Sequence, residues 1–306
     1  SAFIFLRLLK LLAFISMVVI TLNILKRYGF INTSMHLSNI GFLIALYSFY
    51  TYFATLYNLP EIPRTRVGTS GGEATTTFTY AFHRATGTFL EPSHLGEWLT
   101  LPFLLSFIDK RRFVVFKRFT MGLVIMLTGS FGTILSIFLA LGLTVLGLLI
   151  DFRRRLLMLN MLKTLFLAIL LGTLSFLFIN LILSGLFIDQ LSERLYQIIG
   201  SGLAGSNRGY VYLFLENNPI PFIGYGLGIS NLLLTNSFGS PAMMSFLSLY
   251  INTLYSSGII GFIILITALF YPLFLVVMNT GRNEKINVFY VVWTYITLLI
   301  LFIVNM

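Results

Sequence analysis

Long apolar runs separated by short charged turns constrain this chain more than any other feature of its sequence. Leu37–Tyr57, Phe131–Ile150 and Ile286–Val304 each approach the roughly 20 residues that a helix needs to cross a bilayer. Hydrophobic residues make up 57% of the chain and charged residues only 10%, a balance that favours a membrane protein over a water-soluble one. The sequence therefore predicts an all-α, polytopic integral membrane protein.

About eight spans are predicted. The apolar runs are, in chain order, Ala2–Leu25, Leu37–Tyr57, Leu95–Ile108, Phe113–Leu127, Phe131–Ile150, Leu165–Phe187, Ser245–Met278 and Ile286–Val304. A basic turn at Lys26-Arg27 is expected to separate the first two spans, and Ser245–Met278 is long enough for an interfacial turn plus a span. Residues 1–306 are interpreted as a single membrane domain with large loops at about 58–92 and 188–245. Because Ser1 begins inside apolar sequence without a Met, we expect further spans before it.

The charges predict which side each loop faces. If the turns around Lys26, Lys110, Arg153 and Arg282 share one face, that face holds thirteen cations and three acids, and the opposite face holds seven of each. Lys and Arg concentrate on the cytoplasmic side of membrane proteins. Both large loops are therefore expected to face outward, and the net charge of +10 reflects topology rather than a nucleic-acid partner.

Several kinds of chemistry have no support in the sequence. The chain has no cysteine and three histidines, all before position 95, so thiolate and His-rich metal sites are not expected. Walker, G-x-G-x-x-G, H-E-x-x-H and G-x-S-x-G motifs do not occur in a fitting context. We predict neither a metal nor a cofactor.

The second loop contains the first candidate site. Asn207 and Arg208 lie at the centre of its polar part, and the run closes as Gly224-Tyr225-Gly226-Leu227-Gly228. A fixed arginine is a natural receptor for phosphate, and glycines let a backbone approach closely or adopt positive φ. Tyr210 could stack on a sugar ring. The alternative is an arginine that only pairs with an acid of its own loop, such as Glu193 or Glu216.

The first loop contributes the second candidate site. Arg84 lies shortly before a predicted span, and a second outward arginine could bind the same pyrophosphate as Arg208. Glu97 lies in the first turns of that span, where a charge is costly unless it is paired or hydrated. His94 is one turn earlier on the same face, so the two could accept a proton together; Glu91 is a weaker candidate. Alternatively, Arg84 anchors the helix end and Glu97 and His94 form a polar helix start.

Four segments, in order, resemble the O-antigen polymerase and ligase superfamily. They are RATGTFLEPSHLGEWL, the junction LTGSFGTIL between two short spans, SNRGYVYLFLENNPIPFIGYGLG in the second loop, and LYSSGIIGFIIL. The resemblance runs from Arg84 to Ile264, and the spacing of Arg208 and Gly224 matches the arginine-then-glycine pattern of the family's second large loop. The equivalent position after Arg84 is Thr100, so that spacing fails in the first loop.

The resemblance implies a metal-independent glycosyltransferase of the bacterial inner membrane. Its donor and acceptor would be glycans on undecaprenyl pyrophosphate, joined at the periplasmic or extracellular face, with membrane lipids and a chain-length regulator protein as further partners. The resemblance assigns the loop arginines, Arg208 and Arg84, to the pyrophosphate. From the residues themselves we predict in addition that Asn207, Gly224, Gly226, Tyr210 and Glu91 bind the substrate and that Glu97 or His94 is the base.

Two departures from the family pattern bear on the kind of enzyme. The histidine that ligases carry ahead of a G-x-x-G-type helix is missing from Ser245–Leu247, which favours a polymerase. The Ser-Arg-Gly often found at the short-span junction is Ser130-Phe131-Gly132 here. The alternatives are an O-antigen ligase or O-oligosaccharyltransferase and, from another class, a lipid-linked glycan flippase or transporter.

Overall fold

The structure is a computed structural model. It describes residues 2–57, 59–60, 84–89, 91–109, 111, 113–150, 166–167, 170, 172–174, 177–178, 180–181, 192, 214–226, 233, 236, 249–279 and 288–304. Two compact units are formed: the first from Ser1–Arg27, Ser192–Lys285 and Phe302–Met306, and the second from Tyr28–Leu191 and Ile286–Leu301.

The described parts of the chain are helical and contain no strand, so the predicted all-α class is confirmed. Six α-helices have defined bounds: α1 (Ala2–Tyr57), α2 (Pro92–Leu105), α3 (Val114–Leu127), α4 (Phe131–Ile150), α5 (Leu249–Asn279) and α6 (Val288–Val304). A short 3-10 helix, Ser106–Ile108, follows α2. In the second large loop, which was expected to lie between spans without regular structure, positions 218–226 are non-helical as expected, whereas Ser192, 214–217, Leu233 and Asn236 are helical.

Two described helices are long and apolar enough to cross a membrane. They are Ile15–Tyr57, with a mean hydropathy of 1.4, and Tyr250–Tyr271, with a mean hydropathy of 2.0. Shorter apolar helices occupy Phe131–Leu146 and Val291–Leu301. The eight-span topology remains a prediction.

The turn predicted at Lys26-Arg27 is wrong, because both residues are helical. The interruption of α1 falls at Gly29, whose φ of 75° and ψ of 161° lie outside the helical region. A pair of basic residues does not end a helix, whereas glycine adopts positive φ without the clash that a Cβ causes. Residues 30–36, which were left between the predicted spans, are helical as well.

The second unit has a mixed core of large apolar and small hydroxyl side chains. Trp293 of α6 is fully buried; its indole N–H donates to the Ile137 carbonyl of α4 at 3.2 Å, and its ring centroid lies 5.3 Å from that of Phe107. Thr100, Thr133, Ser136 and Thr297 are also fully buried. Conversely, many leucines, isoleucines and phenylalanines of α1, α4 and α5 are exposed. Small hydroxyl residues inside and apolar residues outside are typical of helices that pack within a bilayer.

In the first unit, a loop replaces helical hydrogen bonds at a break in α5. Gly258 has a φ of 71°, and around it the Tyr255 and Ser256 carbonyls accept from the N–H groups of Tyr225 and Gly226 at 2.8 and 2.9 Å. The Ile259 N–H donates to the Pro221 carbonyl at 3.3 Å. The break divides α5 into a short part, 249–257, and a longer part, 259–279.

Gly258→Ala should destabilise this junction. A Cβ at position 258 would overlap the Phe222 carbonyl and the Gly224 nitrogen, and alanine disfavours the positive φ. We expect a loss of about 2–4 kcal/mol in unfolding free energy. The matched control Gly142→Ala lies in a helix with open space at its Cβ and should change stability by about 1 kcal/mol or less. Thermal unfolding in detergent measures both; equal midpoints for the two variants would contradict this packing.

A buried carboxylate organises the corner between the 3-10 helix and α3. Both Nε and a terminal nitrogen of Arg111 donate to Asp109, the latter at 2.8 Å, and the Lys117 ammonium lies 3.9 Å from the same carboxylate. An Arg118 terminal nitrogen donates to the backbone carbonyls of Ser106 and Asp109 at 2.9 and 3.1 Å. Burial raises the pKa of Asp109, but the hydrogen bonds from Arg111 and the charges of Arg111 and Lys117 outweigh it, so the net pKa is lowered.

This corner should make stability dependent on acid pH. Because the folded pKa of Asp109 lies below its ordinary value of 3.8, the carboxylate stabilises the fold above that pH and loses its contribution as pH falls through the folded pKa. Asp109→Asn should cost about 1–3 kcal/mol at pH 7. The difference between wild type and Asp109→Asn in thermal midpoint should shrink below about pH 3.8. A difference that stays constant from pH 7 to pH 3 would show that the charge is not responsible.

Candidate functional site

The short segment before α2 is fixed to the turn between α3 and α4. The Ala85 N–H donates to the Leu127 carbonyl at 3.0 Å, and the Arg84 Nε–H donates to the Thr128 carbonyl at 2.6 Å. These carbonyls belong to the last turn of α3, where no further helical N–H is available. A cation at this position is also favourable because the helix dipole is negative at its C-terminus.

Gly129 sets the backbone conformation of this turn and leaves space for the Arg84 side chain. Its φ of 55° allows the chain to leave α3 and enter α4 within three residues. A Cβ at Gly129 would lie 3.4 Å from the Arg84 Nε, so the arginine side chain passes directly over the glycine. The guanidinium of the first loop therefore lies at the α3–α4 junction, half-buried.

The first turns of α2 pack against the same junction. A Cβ at Gly96 would lie 3.1 Å from the Thr128 hydroxyl and 3.2 Å from the Thr133 hydroxyl. Ser130 completes the hydroxyl cluster, since its Oγ lies 2.9 Å from the Thr133 Oγ1 and its N–H donates to the Thr128 Oγ1 at 3.2 Å. We call Thr128, Ser130 and Thr133 the junction hydroxyls; all three are buried.

Glu91, His94 and Glu97 form a row along the start of α2. The His94 Nε2 lies 3.6 Å from a Glu91 carboxylate oxygen, and the His94 Nδ1 lies 3.5 Å from a Glu97 carboxylate oxygen. The Glu97 side chain is 28% exposed, against 60% for Glu91 and 58% for His94. The predicted pairing of His94 with Glu97 is therefore present in the structure, and Glu97 is the more enclosed of the two acids.

Other predicted site residues lie elsewhere or are not described. Gly224 and Gly226 belong to the first unit; Gly224 packs so closely on the Ser256 backbone that a Cβ would overlap it, and Gly226 has a φ of 102°. The close approach at Gly224 is made to the protein's own backbone at the break in α5, and the expected positive φ occurs at Gly226. Asn207, Arg208 and Tyr210 lie outside the described residues.

The junction hydroxyls and Gly96 were not among the predicted site residues. Their signal was the small-residue run Thr128-Gly129-Ser130, which was interpreted as the junction between two short spans and as part of the family resemblance. Their proximity to Arg84 is a tertiary contact across 44 residues of chain, and no local pattern predicts it.

Protein-family models, characterised proteins and solved structures were all searched, and none of them matches this chain.

Gly96→Val should separate α2 from the α3–α4 turn. Its side chain would enter the space held by the Thr128 and Thr133 hydroxyls, and overpacking of this kind costs about 1–3 kcal/mol. Gly122→Ala is the matched control, because its Cβ would meet the edge of the Phe103 ring at an ordinary 3.5 Å. Thermal unfolding should show a lower midpoint for Gly96→Val only. Equal midpoints would mean that the helices tolerate a wider separation than this geometry implies.

Proposed function

We propose that this protein is a polysaccharide polymerase of the inner membrane, acting on O-antigen or a related exopolysaccharide. It would transfer a growing glycan from undecaprenyl pyrophosphate to the sugar of a newly exported, lipid-linked repeat unit at the outer face of the membrane. The proposal is supported first by the order of the four sequence segments that resemble the O-antigen polymerase and ligase superfamily.

The observation that carries the proposal is the position of Arg84. The superfamily often has an arginine at the short-span junction, and this chain has Phe131 there instead. Arg84 reaches the same junction from the first loop and is fixed to the Thr128 carbonyl at 2.6 Å. A guanidinium therefore occupies this junction although the local motif lacks one.

The helical architecture is compatible with a membrane location. Two helices have the length and hydropathy to span a bilayer, and exposed apolar side chains cover α1, α4 and α5. The uneven distribution of cations favours an orientation with both large loops outside. That orientation would expose Arg84 and Arg208 to a donor whose pyrophosphate lies at the outer surface.

In this reaction an acceptor hydroxyl oxygen attacks the anomeric carbon of the donor glycan. The bond between that carbon and the pyrophosphate oxygen breaks, its electron pair leaves with the pyrophosphate, and the acceptor proton passes to a base. Arg84 and Arg208 would stabilise the negative charge that develops on the leaving oxygen. Glu97, with His94 beside it at 3.5 Å, would receive the proton. Because the leaving group is already activated, positioning and charge stabilisation matter more than a strong base.

Reconstitution in liposomes with one lipid-linked repeat unit as the sole substrate tests this proposal. A polymerase should make a ladder of longer lipid-linked chains without lipid A or protein. Arg84→Ala and Arg208→Ala should each lower polymer formation by about 100-fold or more, since each removes a donor to the leaving group. Arg84→Lys should remain impaired, because an ammonium cannot reproduce the fixed fork of the guanidinium. The control Arg27→Gln, on the predicted cytoplasmic face, should behave as wild type.

Other outcomes point to the other functions. Transfer that requires lipid A or a protein acceptor would indicate a ligase or oligosaccharyltransferase. Movement of the lipid-linked unit across the bilayer without a new glycosidic bond would indicate a transporter. A full ladder from both Arg84→Ala and Arg208→Ala would contradict the assigned pyrophosphate site.

A further inference from the structure

An apolar groove begins at the basic corner around Asp109. It encloses about 60 Å³ and is lined by aromatic side chains, among them Phe103, Phe107, Phe119, Phe138 and Trp293, with Arg118 as its charged residue. All of these residues belong to the second unit. Along α3 the lining runs from Arg118 to Met126, which at 1.5 Å per residue is about 12 Å. The groove thus extends along α3 from Arg118, with a cation at that end.

The cations at that end of the groove all contact one buried acidic residue, Asp109. Arg111 and Lys117 contact the Asp109 carboxylate, and Arg118 donates to the Asp109 backbone carbonyl. The Arg118 guanidinium carbon also lies 4.5 Å above the Phe107 ring, at the apolar wall of the groove. Asp109 holds two cations through its carboxylate and a third through its backbone carbonyl, which leaves the described corner with a surplus of two positive charges. The Arg111 side chain is 52% exposed and able to meet a ligand from outside.

We infer that this groove binds one tail of an anionic phospholipid of the inner leaflet, with the headgroup phosphate on Arg111 and Lys117. The enclosed volume admits a short segment of a tail, the apolar aromatic lining suits its methylene groups, and a phosphate complements the cationic surplus. The charge distribution of the chain puts this corner on the cytoplasmic side, where anionic lipid headgroups attract basic pockets between helices. The site is separate from Arg84 and the junction hydroxyls.

The inference depends on the membrane orientation in the proposed function but not on polymerisation. An occupied groove would stabilise the packing of α6 on α4, because Trp293 lines the groove and donates to the Ile137 carbonyl. Phosphatidylglycerol is a suitable probe, because its headgroup carries one net negative charge and its tails can be brominated. Phosphatidylcholine with the same brominated tails is the zwitterionic comparison.

Trp293 gives the experiment a direct reporter. The chain has two tryptophans, Trp98 and Trp293, so Trp98→Phe leaves the groove residue as the sole indole fluorophore. Trp293 is fully buried, and bromine quenches indole fluorescence only at close range, so bulk lipid should quench it weakly while a tail in the groove should quench it strongly. Trp98→Phe protein is reconstituted into phosphatidylcholine vesicles that contain a small fraction of either brominated lipid.

Brominated phosphatidylglycerol should quench Trp293 at least twofold more than the same fraction of brominated phosphatidylcholine. In Arg111→Gln and Lys117→Gln, each added to Trp98→Phe, quenching by phosphatidylglycerol should fall toward the phosphatidylcholine value. Each of these variants leaves Asp109 one cationic side-chain partner, and a cooperative thermal unfolding transition above the assay temperature shows that the variant is folded. Lys26→Gln, an exposed basic residue outside the corner, should keep the full preference.

Equal quenching by the two lipids in the parent would overturn the inference, as would a preference for phosphatidylglycerol that survives both corner variants. Neither result bears on chain growth, which is measured separately with the lipid-linked repeat. Conversely, a protein that makes no polymer could still show the lipid preference, so the two proposals can fail independently.

Discussion

Backbone hydrogen bonds at helix ends hold the two most informative loops of this protein in place. A helix leaves its last carbonyls without partners, and in an apolar environment such groups must be satisfied by the protein itself. In the second unit, Arg84 and Ala85 supply the missing donors to the last turn of α3. In the first unit, Tyr225 and Gly226 do the same at the break in α5. Two of the functional candidates, Arg84 and Gly226, are thus among the residues that supply these donors.

This arrangement has a consequence for chemistry. A guanidinium fixed to a carbonyl at a helix end does not have to be ordered when a charged ligand arrives, so its electrostatic effect is available without a large entropic cost. The same bond removes one donor of Arg84 from ligand binding, because its Nε–H already donates to the Thr128 carbonyl. Glu97 follows Gly96, which brings α2 against the Thr128 and Thr133 hydroxyls of the same junction. The first loop and the start of α2 therefore present a fixed cation and an enclosed carboxylate within the second unit.

Sequence patterns predicted the helical class and most helix positions, because apolar runs of the right length favour helices whatever their neighbours are. They failed at Lys26-Arg27, where charge was interpreted as a turn although Gly29 is the residue that breaks the helix. The start of α2 at Pro92 was placed three residues late, since proline suits the first helical position. The contact between Arg84 and Thr128, the packing of Gly96 and the cation cluster on Asp109 could not be predicted, because they join residues by tertiary packing rather than by local sequence. Arg208, the most specific sequence candidate, lies outside the described residues.

The central claim is that both large loops lie on the outer side of the inner membrane, where a lipid-linked pyrophosphate is exposed. The chain has no cysteine, so single cysteines can be placed without background. Ser206→Cys and Thr88→Cys report on the two loops, and Phe113→Cys, at an exposed position beside the basic corner, reports on the opposite side. In intact cells, a membrane-impermeant maleimide should label Ser206→Cys and Thr88→Cys directly, and Phe113→Cys only after the membrane is opened. Labelling of Phe113→Cys from outside, with Ser206→Cys protected until lysis, would contradict the account.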